Sequence, residues 1–562
     1  MNKEKFLALM KEKGFWAAFI SIVVIGIIFR LLLINLPLWY DEGCSWLIAS
    51  KPFPSGINDY LFNKDFQHTP LYFYYLHFWI KLFGQTDIAM RLSSLIPSLF
   101  AIPLVYLVGK QISSKATALM AMFLFSTSVF QIYYASEVRM YPFVLIFTLL
   151  SVWALLRYIQ DFKTSQLFET IIYNTILSYL MIGAPIFVIS EMVCLISFLS
   201  QENKKEEIKQ VLKANLIFLI LLIPYFLILT KYFLVRHDFL VVHSVDLTLL
   251  NIIGVLQKFI SQYISNSVYW VTTQPYIIGT KEFVMFLIPL FVMLFGIYRA
   301  IIQKDMKIKL LISITLITFL AFILTAQFKV VVLSPRYLIY ISPLLLILAS
   351  IGLSTCNKKK TALFLAFWLF AGVFFLFNNK EIINYKKNSL YFPAQYISQL
   401  NLAPSDLVIM PFGSSVVGHY LNSPRVLDFE GIQEFRKIEN NNIYSIEQQQ
   451  LLKMRGNSKM FSEVIMPDTN ISPNFEEYIS SNISEIPVGG HVLLIATGMD
   501  RESVMDEQTY KYYFEHLNEE QLMFNLMTEF FHSVNKILSE DFKIVSAQNS
   551  ELQLFILYER IK

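Results

Sequence analysis

Long apolar runs occupy the first two thirds of this sequence, and they restrict its fold more than any other feature. A membrane-spanning helix needs about 20 largely apolar residues, and about 17 can suffice. Runs of this kind occur at 15–34, 92–109, 116–134, 139–157, 168–183, 184–200, 211–231, 283–300, 309–326, 338–354 and 361–377. Because 55% of the residues are hydrophobic and only 16% are charged, a soluble fold of this length is excluded. The sequence predicts a polytopic α-helical membrane protein with about eleven transmembrane helices, the first an uncleaved anchor.

Lysine and arginine residues predict the orientation of these helices. Basic loops favour the cytoplasmic side, and here they share the side of the N-terminal tail only if segment 71–86 does not cross. That segment carries His77 and Lys81 among many aromatic residues, which is typical of a helix at the membrane boundary. The resulting order of spans places loops 35–91, 134–138, 232–282 and 327–337 on the non-cytoplasmic side. The C-terminal tail after residue 377 lies on that side too.

The last part of the chain, 378–562, has no spanning run and changes in character. Short strand-like runs (407–410, 491–496 and 552–557) alternate with helix-like stretches (391–400 and 507–538). This pattern predicts a soluble α/β domain, so we divide the chain into a transmembrane catalytic domain at 1–377 and a C-terminal domain at 378–562.

Several classes of site are disfavoured by composition. The net charge is +4, and the sequence contains no basic stripe of the kind that binds nucleic acid. We therefore expect no nucleic-acid partner. The three cysteines have no metal-ligand spacing and predict neither a disulfide framework nor a cysteine-ligated metal. Loop 232–282 carries Arg236 and a loosely spaced His/Asp set that only weakly suggests a metal, namely His237, Asp238, His243 and Asp246.

Two adjacent carboxylates, Asp41 and Glu42, follow the first span. Ionised groups beside hydrocarbon are costly unless they face water, a partner or a site. They can act as the N-cap and first-turn acids of a short helix. Alternatively, one carboxylate is a general base that takes a proton from an acceptor hydroxyl, and its neighbour orients it or binds the acceptor.

Further polar residues lie in the same loop and in later loops of the same side. His68 precedes the helix start at Pro70 and Tyr72, and is a structural polar residue, a donor to a phosphate or a metal ligand shared with Asp41. Glu137, Arg139 and Tyr141 share a very short loop, in which the arginine either pairs locally or grips a lipid phosphate. Arg336 and Tyr337 form a similar arginine–tyrosine pair at the start of a later span. For Arg91, which begins the second span, we expect snorkelling.

Together these motifs resemble the GT-C membrane glycosyltransferases. The matching elements are Asp41-Glu42 after span one, a His-x-Pro-Leu-Tyr element at 68–72, the Phe83-Gly84 to Arg91-Leu92 segment, and Tyr-Ala-x-Glu-x-Arg-x-Tyr at 134–141. The most similar branch is the protein O-mannosyltransferase and aminoarabinose transferase-like group. The resemblance is strong over 15–160, moderate to 377 and absent from the tail.

The resemblance implies a transferase that moves a sugar from a polyprenyl-phosphate carrier on the non-cytoplasmic face. Asp41 would be the catalytic carboxylate, Glu42 its neighbour, and Arg139 and Arg336 would face the phosphate. His68 stands where related enzymes often carry a basic or polar residue. Family members usually invert the anomeric centre; many need no metal and some branches use one, so a divalent cation stays open. The acceptor would be a glycan, a lipid or a protein, and the setting a bacterial plasma membrane.

Two other functions fit parts of the sequence. A transporter or flippase of a lipid-linked sugar would also combine many spans with phosphate-binding arginines. Transporters, however, place polar groups at mid-membrane in interrupted helices, whereas here they collect on one face. A receptor or scaffold that works through its tail would leave the Asp41-Glu42 pair without a role.

Overall fold

The computed structural model describes residues 3–62, 68–227, 230, 280–303, 305–327, 335–378, 391–403, 405–410, 419–420, 425–428, 480, 482–497, 534–549 and 553–562. Most of these residues are helical. The helices are α1 (Lys3–Leu31), α2 (Tyr40–Ala49), α3 (Ser55–Tyr60), α4 (Pro70–Phe83), α5 (Asp87–Ile112), α6 (Lys115–Ser126), α7 (Val129–Ala135), α8 (Tyr141–Asp161), α9 (Thr164–Leu180), α10 (Ala184–Gln201), α11 (Lys205–Leu221), α12 (Thr280–Ile302), α13 (Met306–Gln327), α14 (Ile341–Leu353), α15 (Lys358–Asn378) and α16 (Tyr391–Gln399).

Each predicted apolar run corresponds to a helix, except that the run 116–134 forms a broken pair. In the described part of the chain, six helices are long and apolar enough to cross a membrane, or seven if the bent pair α6–α7 is counted as one span. This pair bends by 60°. The polar residues at the break explain why a continuous span was the wrong prediction: the Thr127 hydroxyl donates to the Phe123 carbonyl at 2.7 Å, and Ser128 is the N-cap of α7.

Segment 71–86 forms α4, as predicted, and the helix is short. Pro70 occupies its first position, where a missing backbone N–H costs nothing, and Gly84 ends it at φ 80°. With 14 residues, α4 is about 21 Å long at 1.5 Å per residue, less than the roughly 30 Å of a bilayer core. Its length therefore fits a helix that does not cross.

Close helix packing in the membrane part depends on small residues. Helix α8 packs against α5 and α9, and α12 packs against α14. At this second crossing, a Cβ added to Gly296 would lie 2.6 Å from the carbonyl oxygen of Ala349. Only glycine fits there, which is how small residues allow helix backbones to approach in membranes.

The tail contains a five-stranded sheet. Its strands are β1 (Leu407–Met410), β2 (Arg425–Asp428), β3 (His491–Thr497), β4 (Phe542–Asn549) and β5 (Gln553–Arg560), in the order β2-β1-β3-β5-β4. Strand β1 is parallel to β2 and β3, whereas β5 is antiparallel to β3 and β4. The predicted α/β tail is confirmed; of the predicted helix 507–538, residues 507–533 lie outside the described part.

The chain separates into two compact units. The membrane unit consists of Met1–Leu36 and Ile48–Asn384, and the tail unit of Pro37–Leu47 and Tyr385–Lys562. Asp41 and Glu42 therefore belong to the tail unit, although they follow the first span. Sequence patterns did not indicate this association, because it joins residues that are far apart in the chain.

Candidate active site

A short irregular loop at 136–140 is the centre of the polar cluster in the membrane unit, and α5 holds it in place. Arg91 donates from Nη1 to the Ser136 carbonyl at 2.6 Å. Three residues later on the same helix, the Ser94 hydroxyl donates to the Arg139 carbonyl at 3.2 Å and lies 3.3 Å from the Arg139 backbone N–H. Residues three apart share a helix face, so one face of α5 fixes both ends of the loop.

Arg91 does not snorkel. Its side chain is fully buried, and its Nε donates to the carbonyl of Leu36 at 2.8 Å in addition to the bond with Ser136. A buried guanidinium is stable only where its donors are satisfied. The prediction failed because hydropathy alone cannot distinguish an arginine near a membrane face from one that satisfies backbone carbonyls.

Arg139 lies against His68. Its Nη2 lies 2.7 Å from His68 Nε2, and because a guanidinium can only donate, this ring nitrogen is the acceptor. Arg139 is 3% exposed and His68 is half-buried. The two residues are 71 positions apart, and the contact joins the loop before α4 to the loop before α8.

The Tyr72 hydroxyl lies beside the same arginine. Tyr72 is buried on the first turn of α4, and its hydroxyl feels the charge of Arg139. Burial raises the pKa of this hydroxyl far above its ordinary value. The phenol therefore keeps its proton at neutral pH and can donate a hydrogen bond.

Tyr141, Arg336 and Glu137 complete the cluster. The hydroxyl of Tyr141 experiences the charges of Arg336, Arg139 and Glu137. Arg336 lies on a 3₁₀ turn at Pro335–Leu338, and its Nη2 donates to the Tyr337 hydroxyl at 3.2 Å. The predicted span 338–354 thus starts later, at Ile341, because its first residues form this separate turn.

A side-chain bond holds the 3₁₀ turn near the loop. Gln131 on α7 donates to the Ser342 hydroxyl on α14 at 2.7 Å, and both residues are buried. Helix α7 leads into the loop, and α14 follows the turn. The structure therefore groups the seven predicted site residues of the membrane unit, namely His68, Tyr72, Glu137, Arg139, Tyr141, Arg336 and Tyr337.

This cluster has the chemistry of an anion site. Two guanidinium groups and several phenol hydroxyls supply N–H and O–H donors within a largely buried region. Planar guanidinium groups match phosphate oxygens, and a low local dielectric strengthens each such contact. The arrangement can bind a phosphate and stabilise negative charge that develops on it.

Asp41 and Glu42 lie in the first turn of α2, within the tail unit. The backbone N–H of Trp39 donates to Glu42 Oε2 at 3.0 Å, and Glu42 is fully buried. This is half of a capping box, in which the third helical residue reaches back to the N-cap. Asp41 is half-buried, and its carbonyl accepts from the Ser45 hydroxyl at 3.0 Å.

Sequence patterns missed one buried cation. Arg30, near the end of α1, is 1% exposed and donates from Nη1 to the carbonyls of Gly26 at 3.0 Å and Ser126 at 3.2 Å. Ser126 ends α6 at the 60° break, so Arg30 satisfies a carbonyl that the break releases. An arginine within a long apolar run was the available signal.

Among the described residues, no group of three or more His, Cys, Asp or Glu side chains could hold a metal ion. The His and Asp residues of loop 232–282 lie outside the described residues.

Comparisons with known proteins agree with these observations. A family model described as dolichyl-phosphate-mannose-protein mannosyltransferase matches residues 67–228, which include the loop at 136–140. No curated protein sequence matches the chain. Two crystal structures of ArnT from Cupriavidus metallidurans match 97% of this chain and 98% of theirs. The apo form has a TM-score of 0.53 at 11% identity, and the form bound to undecaprenyl phosphate 0.55 at 10%. The resemblance inferred from the first-loop motifs is confirmed at the level of the fold.

Proposed function

We propose that this chain, an integral membrane protein with the GT-C fold, is a glycosyltransferase that uses a polyprenyl-phosphate-linked sugar. The observation that carries the proposal is the cluster of Arg139, His68, Tyr141 and Arg336, which has the charge and hydrogen-bond donors for a lipid phosphate. The family model and the undecaprenyl phosphate bound to ArnT support the same donor class. The acceptor is a glycan, a lipid or a protein of the cell envelope.

The reaction is a single displacement in this proposal. The acceptor hydroxyl attacks the anomeric carbon, its proton passes to the Asp41 carboxylate, and the bond between the anomeric carbon and the phosphate oxygen breaks. The polyprenyl phosphate leaves with the electron pair, and the anomeric configuration is inverted. A carboxylate base contributes typically 10²–10⁴-fold to such a proton transfer.

The remaining site residues act on charge and position. Arg139 and Arg336 neutralise the negative charge that grows on the departing phosphate, which is the kind of fixed electrostatic stabilisation that dominates many enzymes. The hydroxyls of Tyr72, Tyr141 and Tyr337 and the ring of His68 orient the phosphate. Glu42 fixes the first turn of α2, next to Asp41, through its bond to Trp39.

Sugar transfer distinguishes this function from transport. Purified protein in liposomes, given a polyprenyl-phosphate donor with a radiolabelled sugar and an envelope extract as acceptor, should move the label to the acceptor and release polyprenyl phosphate. A flippase would instead move the labelled lipid between leaflets without breaking the sugar–phosphate bond. Movement of intact donor, with no transfer, would refute the proposal.

The site and the tail should both lie on the extracytoplasmic side of a bacterial plasma membrane. The reason is the lopsided distribution of basic residues, such as Lys204, Lys205 and Lys209, which favours the cytoplasm for that loop. A periplasmic reporter enzyme fused after Lys380 should therefore be active, and one inserted at 204–210 should not. Equal activity at both positions would contradict the orientation.

A further inference from the structure

The backbone just before α2 is tied to a distant residue of the same unit, the tail unit. The backbone N–H of Leu38 donates to the Tyr420 hydroxyl at 2.9 Å, although the two residues are 382 positions apart. Leu38 is fully buried and stands three residues before Asp41. The hydroxyl of Tyr420 therefore holds the backbone just ahead of the proposed base.

A second contact holds the other side of Asp41. The ring of Trp46, five residues after Asp41, lies edge to face against the ring of His419, with centroids 5.1 Å apart. His419 in turn contacts the ring of Tyr420 at 4.8 Å. Offset and perpendicular aromatic pairs of this kind are favourable beyond their buried area. Two consecutive residues of the tail thus contact α2 before and after its acidic turn.

Tyr420 packs against the core of the sheet. Its ring packs against the buried cluster formed by Ile397, Val408, Met410, Leu493, Ile495 and Phe555. Because that cluster joins α16, β1, β3 and β5, the position of the Tyr420 hydroxyl depends on the packing of these elements.

We propose that Tyr420 and His419 are positioning residues for Asp41, so that the tail domain is needed for catalysis. The inference rests on the proposed function, because it assigns a task to the tail through the proposed base. Misplacing a reacting group by 1 Å can cost about 10²-fold in rate. A domain that holds α2 on both sides of Asp41 therefore has a direct effect on turnover.

The first test needs no substrate, because Cys44 reports on α2. Cys44 is half-buried and three residues from Asp41, Cys194 is buried, and Cys356 is removed by Cys356→Ser. In the full-length protein in detergent, Tyr420→Phe should raise the rate at which N-ethylmaleimide alkylates Cys44 by about 2- to 10-fold, the equilibrium shift expected from one lost hydrogen bond.

Tyr558→Phe is the matched control. The Tyr558 hydroxyl lies 2.5 Å from Asn535 Oδ1 in the same domain, so this variant loses a comparable bond that does not involve α2. We expect it to leave Cys44 alkylation unchanged. Equal rates in wild type, Tyr420→Phe and Tyr558→Phe would refute the positioning role.

The second test measures turnover. Tyr420→Phe should lower kcat about 10-fold and leave donor KM unchanged, and it should have no further effect in an Asp41→Asn background. Equal losses in both backgrounds would mean that Tyr420 acts without Asp41, which overturns the inference. If wild type transfers no sugar, the proposed function fails, and the Cys44 experiment still decides whether Tyr420 holds α2.

Discussion

Asp41→Asn is expected to lower sugar transfer by roughly 10²–10⁴-fold, the usual contribution of a general base. The amide keeps the shape of the carboxylate and cannot accept the acceptor proton. Binding of undecaprenyl phosphate should survive, because Asp41 acts on the acceptor hydroxyl and not on the phosphate. Single-turnover transfer and lipid binding, measured on the same preparation, separate the two effects.

Asp87→Asn provides a matched control for this substitution. Asp87 is also a half-buried aspartate in the first turn of a helix, α5, and has no part in the proposed chemistry. If Asp41 only favours its helix through the dipole, the two variants should behave alike, with small losses of stability. Near-normal transfer by a folded Asp41→Asn protein would remove the residue from catalysis.

Arg139→Lys is expected to weaken binding of undecaprenyl phosphate by about 1–3 kcal/mol, or roughly 5- to 150-fold. Lysine keeps the charge and loses the planar fork, including the N–H that Arg139 donates to His68 at 2.7 Å. Arg336→Lys should act in the same direction. Titration of purified protein with the lipid, at fixed salt, measures both.

Arg157→Lys is the control for this second prediction. Arg157 lies near the opposite end of α8 and pairs with Glu169 at 3.0 Å, with both side chains partly exposed. Exposed ion pairs contribute little to stability, so the Arg157→Lys protein should stay folded. Its affinity for undecaprenyl phosphate should therefore equal that of the wild type. Unchanged affinity in Arg139→Lys and Arg336→Lys together would place the phosphate elsewhere.

The membrane helices could be predicted well because burial in lipid imposes one simple pattern on the sequence. The break between α6 and α7 could not, since the small polar residues Ser126, Thr127 and Ser128 lower the hydropathy of a long run only slightly. The same limit affected Arg30 and Arg91. Their roles depend on carbonyls of distant residues, and hydropathy contains no information on such partners.

The residues of the candidate site were proposed from residue types, whereas their contacts could not be predicted. Adjacent carboxylates, a helix-starting proline and arginines at span ends are local signals. The bond between Arg139 and His68 depends on how α4, α5 and α8 pack, because Ser94 on α5 holds the loop that presents the arginine. Likewise, nothing near Asp41 indicates that its helix contacts Tyr420.

The bond between Leu38 and Tyr420 also has a consequence for biosynthesis. Chains grow at about 5–20 residues per second, so the 382 residues between the two partners take roughly 20–80 s to synthesise. During that interval the first loop has already left the ribosome, and Tyr420, the partner of Leu38, has not yet been synthesised. A prematurely terminated chain could insert its helices and still lack a completed α2 contact, so that only finished molecules would become active in the membrane.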